Sequence, residues 1–454
     1  MTVAMGYETK TATAREAALS AYCSYRRNGA DPGEKLAALV SDMPARDVAL
    51  AKRVLTGMIQ NTALIDYYID CFSSIKPKKI EPLVLDILRL SVYQLVFMSR
   101  IPHNAAVDEG VKIASRNANP RAAGFVNAVL RGIAGAAERH EMPPVAGDGD
   151  ESVLSVKYSH PQWIVREFCE SFGADGAEAL LRANNADDVP VTAQVNTLLT
   201  DADEAVRALE ADGVTVRRHG WLDDCLDMSG TGDVTRLDAF KRGYIYIQDA
   251  AARLAAYAAG PEPGMFVIDG CAAPGGKSFA SAIMMGNKGR IAAFDLTAEK
   301  LRRIDGGARR LKLGIIEAVH RDAGARNGDY RGGADIVIAD VPCSGMGVIR
   351  KKPEIRYKSE RSLDGLPEIQ KRLLQSLSAY VKPGGVLLYS TCSLLTRENR
   401  EVVDWFLENN SEFNKETFTM PHIGEIKDGC CTLLPHIHGT DGFFICRMRR
   451  GTGG

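Results

Sequence analysis

The sequence has no run of about 18 apolar residues, so no transmembrane helix is predicted. Residues 1–10 lack a basic segment followed by an apolar core, and no secretory signal peptide is expected. The ten cysteines, at positions 23, 71, 169, 225, 271, 343, 392, 430, 431 and 446, include no C-x-x-C pair, which excludes a zinc knuckle. No metal site is expected. In a large chain without an export signal, reduced thiols and a cytoplasmic location are the expectation. The G-x-G-x-x-G dinucleotide fingerprint is also missing, which argues against a nicotinamide enzyme. Net charge is nearly absent too, at −1. That balance hides an asymmetry: residues 1–140 carry +5, residues 141–260 carry −11 and residues 261–454 carry +5. A nucleic-acid partner would therefore meet the two ends rather than the middle.

At 454 residues the chain exceeds one ordinary core, and several domains are expected. Residues 1–140 read as an all-α domain, with apolar residues at helical spacing in 14–25, 46–72, 82–98 and 105–114. Pro77, Pro102 and Pro120 fall where helices can end. A Pro/Gly/Asp-rich linker spans 141–152. Residues 153–259 read as a small α+β module, with strands at 191–195 and 244–247 and a helix at 202–210. From residue 260 onward the pattern becomes α/β. Apolar runs at 265–268, 290–294, 315–319, 335–339 and 385–389 alternate with helical stretches such as 298–311 and 367–381. Such alternation predicts a mostly parallel, doubly wound Rossmann-like sheet over 260–454. Ligands of such sheets bind beyond the carboxyl ends of the strands, which here carry Asp269, Asp295, Asp322, Asp340 and Cys392.

The first strand runs into Asp269-Gly-Cys-Ala-Ala-Pro-Gly-Gly-Lys277, whose small residues allow a ligand to approach the backbone closely. A Walker A loop would need four residues between its glycines; five separate Gly270 from Gly276, and Pro274 removes an amide a phosphate nest would use. A P-loop NTPase is therefore the competing reading, with its spacing wrong by one residue. The alternative is an adenosine-containing ligand without phosphates. Asp295 would accept from ribose hydroxyls and Asp322 from the adenine amino group, unless these carboxylates are helix caps.

Two cysteines lie just past strand ends on one rim, Cys343 in Asp340-Val-Pro-Cys-Ser-Gly345 and Cys392 in Tyr389-Ser-Thr-Cys-Ser393. A lone cysteine is usually a small buried hydrophobe; two at catalytic strand ends beside Asp340 suit covalent chemistry. Carbon 5 of cytosine is too weak a nucleophile to take a methyl group unaided. A thiolate adding at C6 makes C5 nucleophilic, and the adduct needs an acid or acceptor near N3 and the exocyclic amine, a place for Asp340. Lys277 would promote the thiolate. The target base must be unpaired or flipped, because a duplex hides the ring face from the thiol. Spacing alone does not decide which cysteine attacks.

At these residues the sequence resembles the RNA cytosine-5 methyltransferases of the Nol1/Nop2/Sun family, in Cys271-Ala-Ala-Pro-Gly-Gly-Lys277, Asp340-Val-Pro-Cys-Ser-Gly345, Ser390-Thr-Cys-Ser393, Gly347-Val-Ile-Arg-Lys-Lys-Pro353 and residues 434–444. The resemblance implies S-adenosylmethionine as cofactor, held by Cys271, Ala272, Ala273, Pro274, Gly275, Gly276, Lys277, Asp295, Asp322 and Asp340. It also implies Cys392 as nucleophile and Cys343 as the group that assists product release. The N-terminal part is similar to NusB, an all-helical RNA-binding fold, in residues 102–112 and 124–131. Together these imply a 16S rRNA (cytosine-C5)-methyltransferase acting on an unpaired or flipped cytosine, as a monomer. A noncatalytic RNA-binding or assembly factor with the same fold is the other possibility. The middle module departs from the family at Gln194, where arginine is frequent, and at 250–252, where a serine is.

Beside the Pro-Cys loop, residues 350–358 hold five cations and one acid, a candidate phosphate-binding segment with Tyr357 as a stacking residue. His436 and His438 lack a third ligand and read as turn residues.

Overall fold

The computed structural model describes residues 13–325 and 329–452. The N-terminal segment read above for a signal, residues 1–10, lies outside them. Between Asn185 and Ala186 the chain parts into two units.

The first unit is all helical. Its helices are α1 (Ala14–Asn28), α2 (Pro32–Leu39), α3 (Ala45–Gln60), α4 (Thr62–Phe72), α5 (Pro82–Phe97), α6 (His103–Asn117), α7 (Pro120–Glu138), α8 (Asp150–Lys157) and α9 (Gln162–Ala183). The central α5 is buried continuously from Leu83 to Leu95, so it carries no single apolar stripe. The periodic stretch 46–72 proves to be two helices that break at Asn61, whose side-chain amide donates back to the Gly57 carbonyl at 3.0 Å. Gly57 is a close-approach position: a Cβ there would lie 1.9 Å from Cζ of Tyr93 on α5. Pro120 opens α7 at a helix start, where its missing N–H costs nothing.

The second unit contains a small and a large sheet that share a packed boundary, and a separate two-stranded hairpin. The smaller sheet has the order β2-β3-β1-β4, all antiparallel, from β1 (Val191–Val195), β2 (Thr215–Arg218), β3 (Cys225–Ser229) and β4 (Ile245–Ile247). Between its strands run α10 (Ala202–Ala211) and α11 (Asp238–Lys241). Gln194, the departure noted above, is fully buried and donates to the Gln248 carbonyl at 3.0 Å. It is a structural side chain here.

Helix α12 (Ala250–Ala259) then lies against the larger sheet, with Ala251, Ala255 and Ala258 in the same apolar cluster as Val267, Ile338 and Ile445. Small side chains let the helix approach the sheet closely. The remaining elements are β5 (Phe266–Asp269), α13 (Gly276–Met284), β6 (Arg290–Asp295), α14 (Ala298–Arg310), β7 (Ile316–His320), β8 (Ala334–Asp340), α15 (Leu366–Ser378), β9 (Val381–Thr391), α16 (Arg400–Asn409), β10 (Phe413–Lys415), the hairpin β11 (Phe418–Met420) and β12 (Gly424–Ile426), β13 (Cys430–Leu433), α17 (Pro435–His438) and β14 (Phe443–Arg450). The sheet order is β10-β14-β9-β8-β5-β6-β7, with β13 also on β14. Strands β5 to β9 are parallel and β14 is antiparallel to β9. The expected Rossmann-like core is present, and its five parallel strands fall where the apolar runs placed them.

Helices α8 and α9 belong to the helical unit, whereas α12 and the small sheet share a core with the large one. The two sheets are tied at α14. Arg310 donates to the carbonyls of Phe240 and Ile245 at 2.6 and 2.8 Å, and its guanidinium sits 3.6 Å from the Phe240 ring. Asn196 donates to the carbonyls of Gly243 and Leu311 at 3.2 and 2.9 Å.

Candidate active site

The five parallel strands deliver their carboxyl ends to one rim. The loop after β5 begins there. Its amides are already engaged: Gly270 donates to Ile338, Ala272 to Phe294 and Gly275 to Ala272, at 2.9, 2.9 and 2.7 Å. Ala273 donates to Asp295 Oδ2 at 3.2 Å, and Pro274, which follows a cis peptide, has no N–H to give. A phosphate nest needs free amides; these bonds and Pro274 leave few of them before α13, which adds to the spacing against the P-loop reading. Gly275 adopts φ 112°, in the left-handed region, and a Cβ there would lie 2.3 Å from the Phe279 ring.

Two acids flank this loop. Asp295, at the end of β6, is buried; it accepts from Ala273 and from the Leu296 amide at 2.7 Å, and it pairs with Lys300 at 3.2 Å. Asp322, beyond β7, is exposed and accepts from the Gly324 amide at 2.8 Å. Neither caps a helix, because Thr297 caps α14. Leu296, beside Asp295, is 58 % exposed, an apolar surface that the sequence did not single out. Asp269 lies deeper, accepts from Ser278 Oγ at 2.8 Å, and is pushed up to about 6 by burial.

Lys277 leaves the first turn of α13 and crosses to Asp340 at the end of β8, Nζ to Oδ2 2.6 Å. Its ammonium also sits 5.0 Å from the centre of the Phe443 ring. The other Asp340 oxygen accepts from Ser390 Oγ on β9 at 2.8 Å. With both oxygens accepting, Asp340 is an acceptor, one of the two roles open to it from sequence.

The two cysteines meet. Sγ of Cys343 and Sγ of Cys392 are 3.2 Å apart, both half-buried. They are not equivalent. Cys392 is held below the ordinary thiol range, first by the hydrogen bond it accepts from Cys343; the Lys277 ammonium adds to this against burial and the charges of Asp340 and Asp441. Cys343 is pushed well above that range by the same hydrogen bond, by burial, and by the charges of Cys392 and Glu398. Of the two, Cys392 is therefore the sulfur more disposed to carry the negative charge.

Backbone contacts hold these loops together. Gly347 N donates to the Cys392 carbonyl and Gly442 N to the Gly347 carbonyl, both at 2.8 Å. A Cβ on Gly347 would lie 1.9 Å from the Gly442 oxygen and 2.9 Å from the Cys392 oxygen. Gly347→Ala is expected to lower stability by about 1–3 kcal/mol, as overpacking does. Thermal melting and a methyl-transfer assay check it; wild-type values in both would contradict the packing described.

The segment 350–358 is corrected by its surroundings. Arg350 pairs with Asp441 at 2.8 Å and Asp249 at 3.4 Å, and Lys351 pairs with the same two carboxylates. Arg356 is fully buried, and Lys358 donates to the Ser344 carbonyl at 2.8 Å. This charge cluster builds the wall of the site rather than a phosphate-binding face; Lys352 is exposed and makes no such pair. His436 and His438 lie on the single turn α17, where His438 Nδ1 accepts from the Leu434 amide at 2.8 Å. Among the described residues no cluster fit to hold a metal ion is present, and no helix is long and apolar enough to cross a membrane.

Comparison with known proteins now bears on this geometry. A family profile for 16S rRNA methyltransferase RsmB/F matches residues 256–449, the NusB family matches 12–135, and a ferredoxin-like domain of RsmF/B-like methyltransferases matches 160–235. The chain is 34 % identical to a probable ribosomal RNA small subunit methyltransferase B of Bacillus subtilis, covering 97 % of this chain and 99 % of that one. The chain belongs to the RsmB/F methyltransferase family. A second member, ribosomal RNA small subunit methyltransferase B of Vibrio cholerae, is 31 % identical over 88 % of this chain and 90 % of its own. Among solved structures, that of PH0851 superposes with a TM-score of 0.79 at 27 % identity, covering 96 % of this chain and 98 % of that one. The RsmB/F match spans the whole rim, including Lys277, Asp340, Cys343 and Cys392.

Proposed function

We propose that this chain transfers a methyl group from S-adenosylmethionine to carbon 5 of an unpaired or flipped cytosine in 16S rRNA, through a covalent bond from Cys392 to C6. The observation that carries the reading is the 3.2 Å contact between unlike cysteines on a rim that also holds the Lys277–Asp340 pair. Names of relatives that act on small-subunit ribosomal RNA support the substrate class.

The cofactor's chemistry is an electrophilic methyl on sulfur. The residues present fit such a group. Asp295 and Asp322 offer carboxylates for ribose and adenine, exposed Leu296 offers an apolar face, and residues 271–276 form a tight wall in which the Ala272, Ala273 and Gly275 amides are already engaged. Asp295→Asn leaves one acceptor oxygen for two amides and for the ribose. A hydrogen bond to a charged group contributes about 1.5–3 kcal/mol, so S-adenosylhomocysteine is expected to bind at least about tenfold more weakly, read by calorimetry. Unchanged affinity would remove Asp295 from the cofactor site.

The steps of the chain's own residues follow. The Cys392 thiolate adds to C6, and electron density moves to C5, which takes the methyl group. Asp340 accepts from the exocyclic amine and holds the ring. Water, acting as base, takes the C5 proton; the C–H electron pair restores the C5–C6 double bond and Cys392 leaves as thiolate, a release that Cys343 assists. Methylation of 16S rRNA by the purified protein, followed by nucleoside mass spectrometry and bisulfite sequencing, tests the reading. Appearance of 5-methylcytidine is expected. Methyl transfer at another atom, or none, would overturn it, and the second outcome would favour a noncatalytic factor.

A further inference from the structure

Glu398 ends a single 3-10 turn, Thr396–Glu398, just beyond Cys392. It lies in a polar stretch without periodicity and plays no part in the chemistry above, yet its side chain is only 1 % exposed. Both carboxylate oxygens are used, and they reach both cysteine loops. Oε1 accepts from Ser393 Oγ at 2.7 Å, next to Cys392. Oε2 accepts from the Ser344 amide at 2.8 Å, next to Cys343. The two serine hydroxyls touch each other at 3.0 Å.

Neighbouring groups complete the brace. Gln370 Nε2, on α15, donates to Glu398 Oε2 at 2.9 Å and to the Pro342 carbonyl at 3.0 Å. Tyr389 donates to the Glu398 carbonyl at 2.6 Å. Asn399 accepts from Thr391 Oγ1 at 2.6 Å and donates to the Ser393 carbonyl at 3.0 Å. The residues on either side of each cysteine are thus tied to one buried carboxylate or its neighbour. The donors named to the carboxylate are neutral, so its charge still acts on its surroundings. It adds to what raises Cys343, after the hydrogen bond to Cys392, burial and the Cys392 charge, whereas the charges acting on Cys392 are those of Asp340, Lys277 and Asp441.

We propose that Glu398 is a positioning residue for the covalent step: it holds the Cys343 and Cys392 loops in register and, through its charge, assigns the donor role to Cys343. The proposal rests on the covalent reading above, so its test must separate the two. Alkylation by iodoacetamide at neutral pH, with peptide mass spectrometry, reports the reactive thiolate without needing methyl transfer. In the wild-type protein Cys392 is expected to be labelled ahead of Cys343; equal labelling would instead undo the covalent assignment itself.

Glu398→Gln keeps the shape and removes the charge. The labelling ratio is expected to move toward Cys343 by about tenfold, the change that corresponds to one pKa unit of differential interaction. The value of kcat should fall by about 10- to 100-fold, as for a small misplacement of reacting groups, with the KM for RNA unchanged. Glu398→Asp keeps the charge but is too short to reach both loops; it should retain the labelling preference and still lose rate. Wild-type labelling ratio and kcat in a folded Glu398→Gln would overturn the proposal. If thermal melting shows that Glu398→Gln does not fold, Gln370→Met, which removes the tie to Pro342, should lower kcat severalfold at constant KM. An unchanged kcat there would equally overturn it.

Discussion

Cys392→Ala is expected to abolish methylation, and Cys343→Ala to leave a protein–RNA adduct that survives denaturing electrophoresis. The loss for Cys392→Ala should exceed about 10⁴-fold, the order found when a covalent nucleophile is removed. The argument is the inequality of the pair. The hydrogen bond the two sulfurs share lowers Cys392 and raises Cys343; the Lys277 charge lowers Cys392 further, and the Glu398 charge adds to what raises Cys343. A pH dependence follows. Adduct formation needs thiolate, so its rate rises with pH through the Cys392 titration. Removing the Cys343 donor takes away the first cause of the low Cys392 value. The rising limb for Cys343→Ala should therefore lie at higher pH than in the wild-type protein. An adduct accumulating in Cys392→Ala, rather than in Cys343→Ala, would reverse the two roles.

Lys277→Met is expected to be the next most damaging change. Lys277 is nearly buried, and its ammonium is the ion-pair partner that the structure gives Asp340, at 2.6 Å. Its loss leaves a carboxylate beside the thiolate with no compensating charge. Breaking a buried pair costs about 3–5 kcal/mol; Asp340 remains 29 % exposed, so a destabilisation of about 2 kcal/mol is the better figure here. The catalytic loss should be larger, about 10²- to 10³-fold in kcat, the range for removal of a preorganised charge or donor at a reacting centre. Lys277→Arg restores the charge but not the shape of a compact ammonium under Phe443, and should recover only part of the rate. Single-turnover methylation measures both variants. A Lys277→Met enzyme within a few-fold of wild type would remove Lys277 from the mechanism.

Much of this was written in local patterns. Five apolar runs of four or five residues ending in Asp or Thr-Cys are sufficient to place parallel strands and their functional ends, because burial on both faces of such a sheet demands continuous apolar strands. The Walker spacing could be rejected by counting. Other features left no local trace. The break at Asn61 was hidden by unbroken helical periodicity across it. The antiparallel strand β14 closes the sheet through pairing with β9, a contact between distant segments. Residues 350–358 read as a phosphate-binding segment, yet their fate depends on Asp249 and Asp441, which lie about a hundred and ninety positions apart in the chain.

The cysteine pair shows the same division. Sequence by itself determined that Cys343 and Cys392 follow strand ends on one rim with an adenosine-type loop, since strand ends and small-residue turns are local properties. Spacing left the two equivalent and only the resemblance assigned their roles; the charges around each sulfur come from the tertiary structure. Lys277 arrives from α13 and acts on Cys392, whereas Glu398 comes from beyond β9 and acts on Cys343. Charge acts through space and falls off with distance, so which sulfur lies near the cation and which near the carboxylate is a property of the fold and not of any motif.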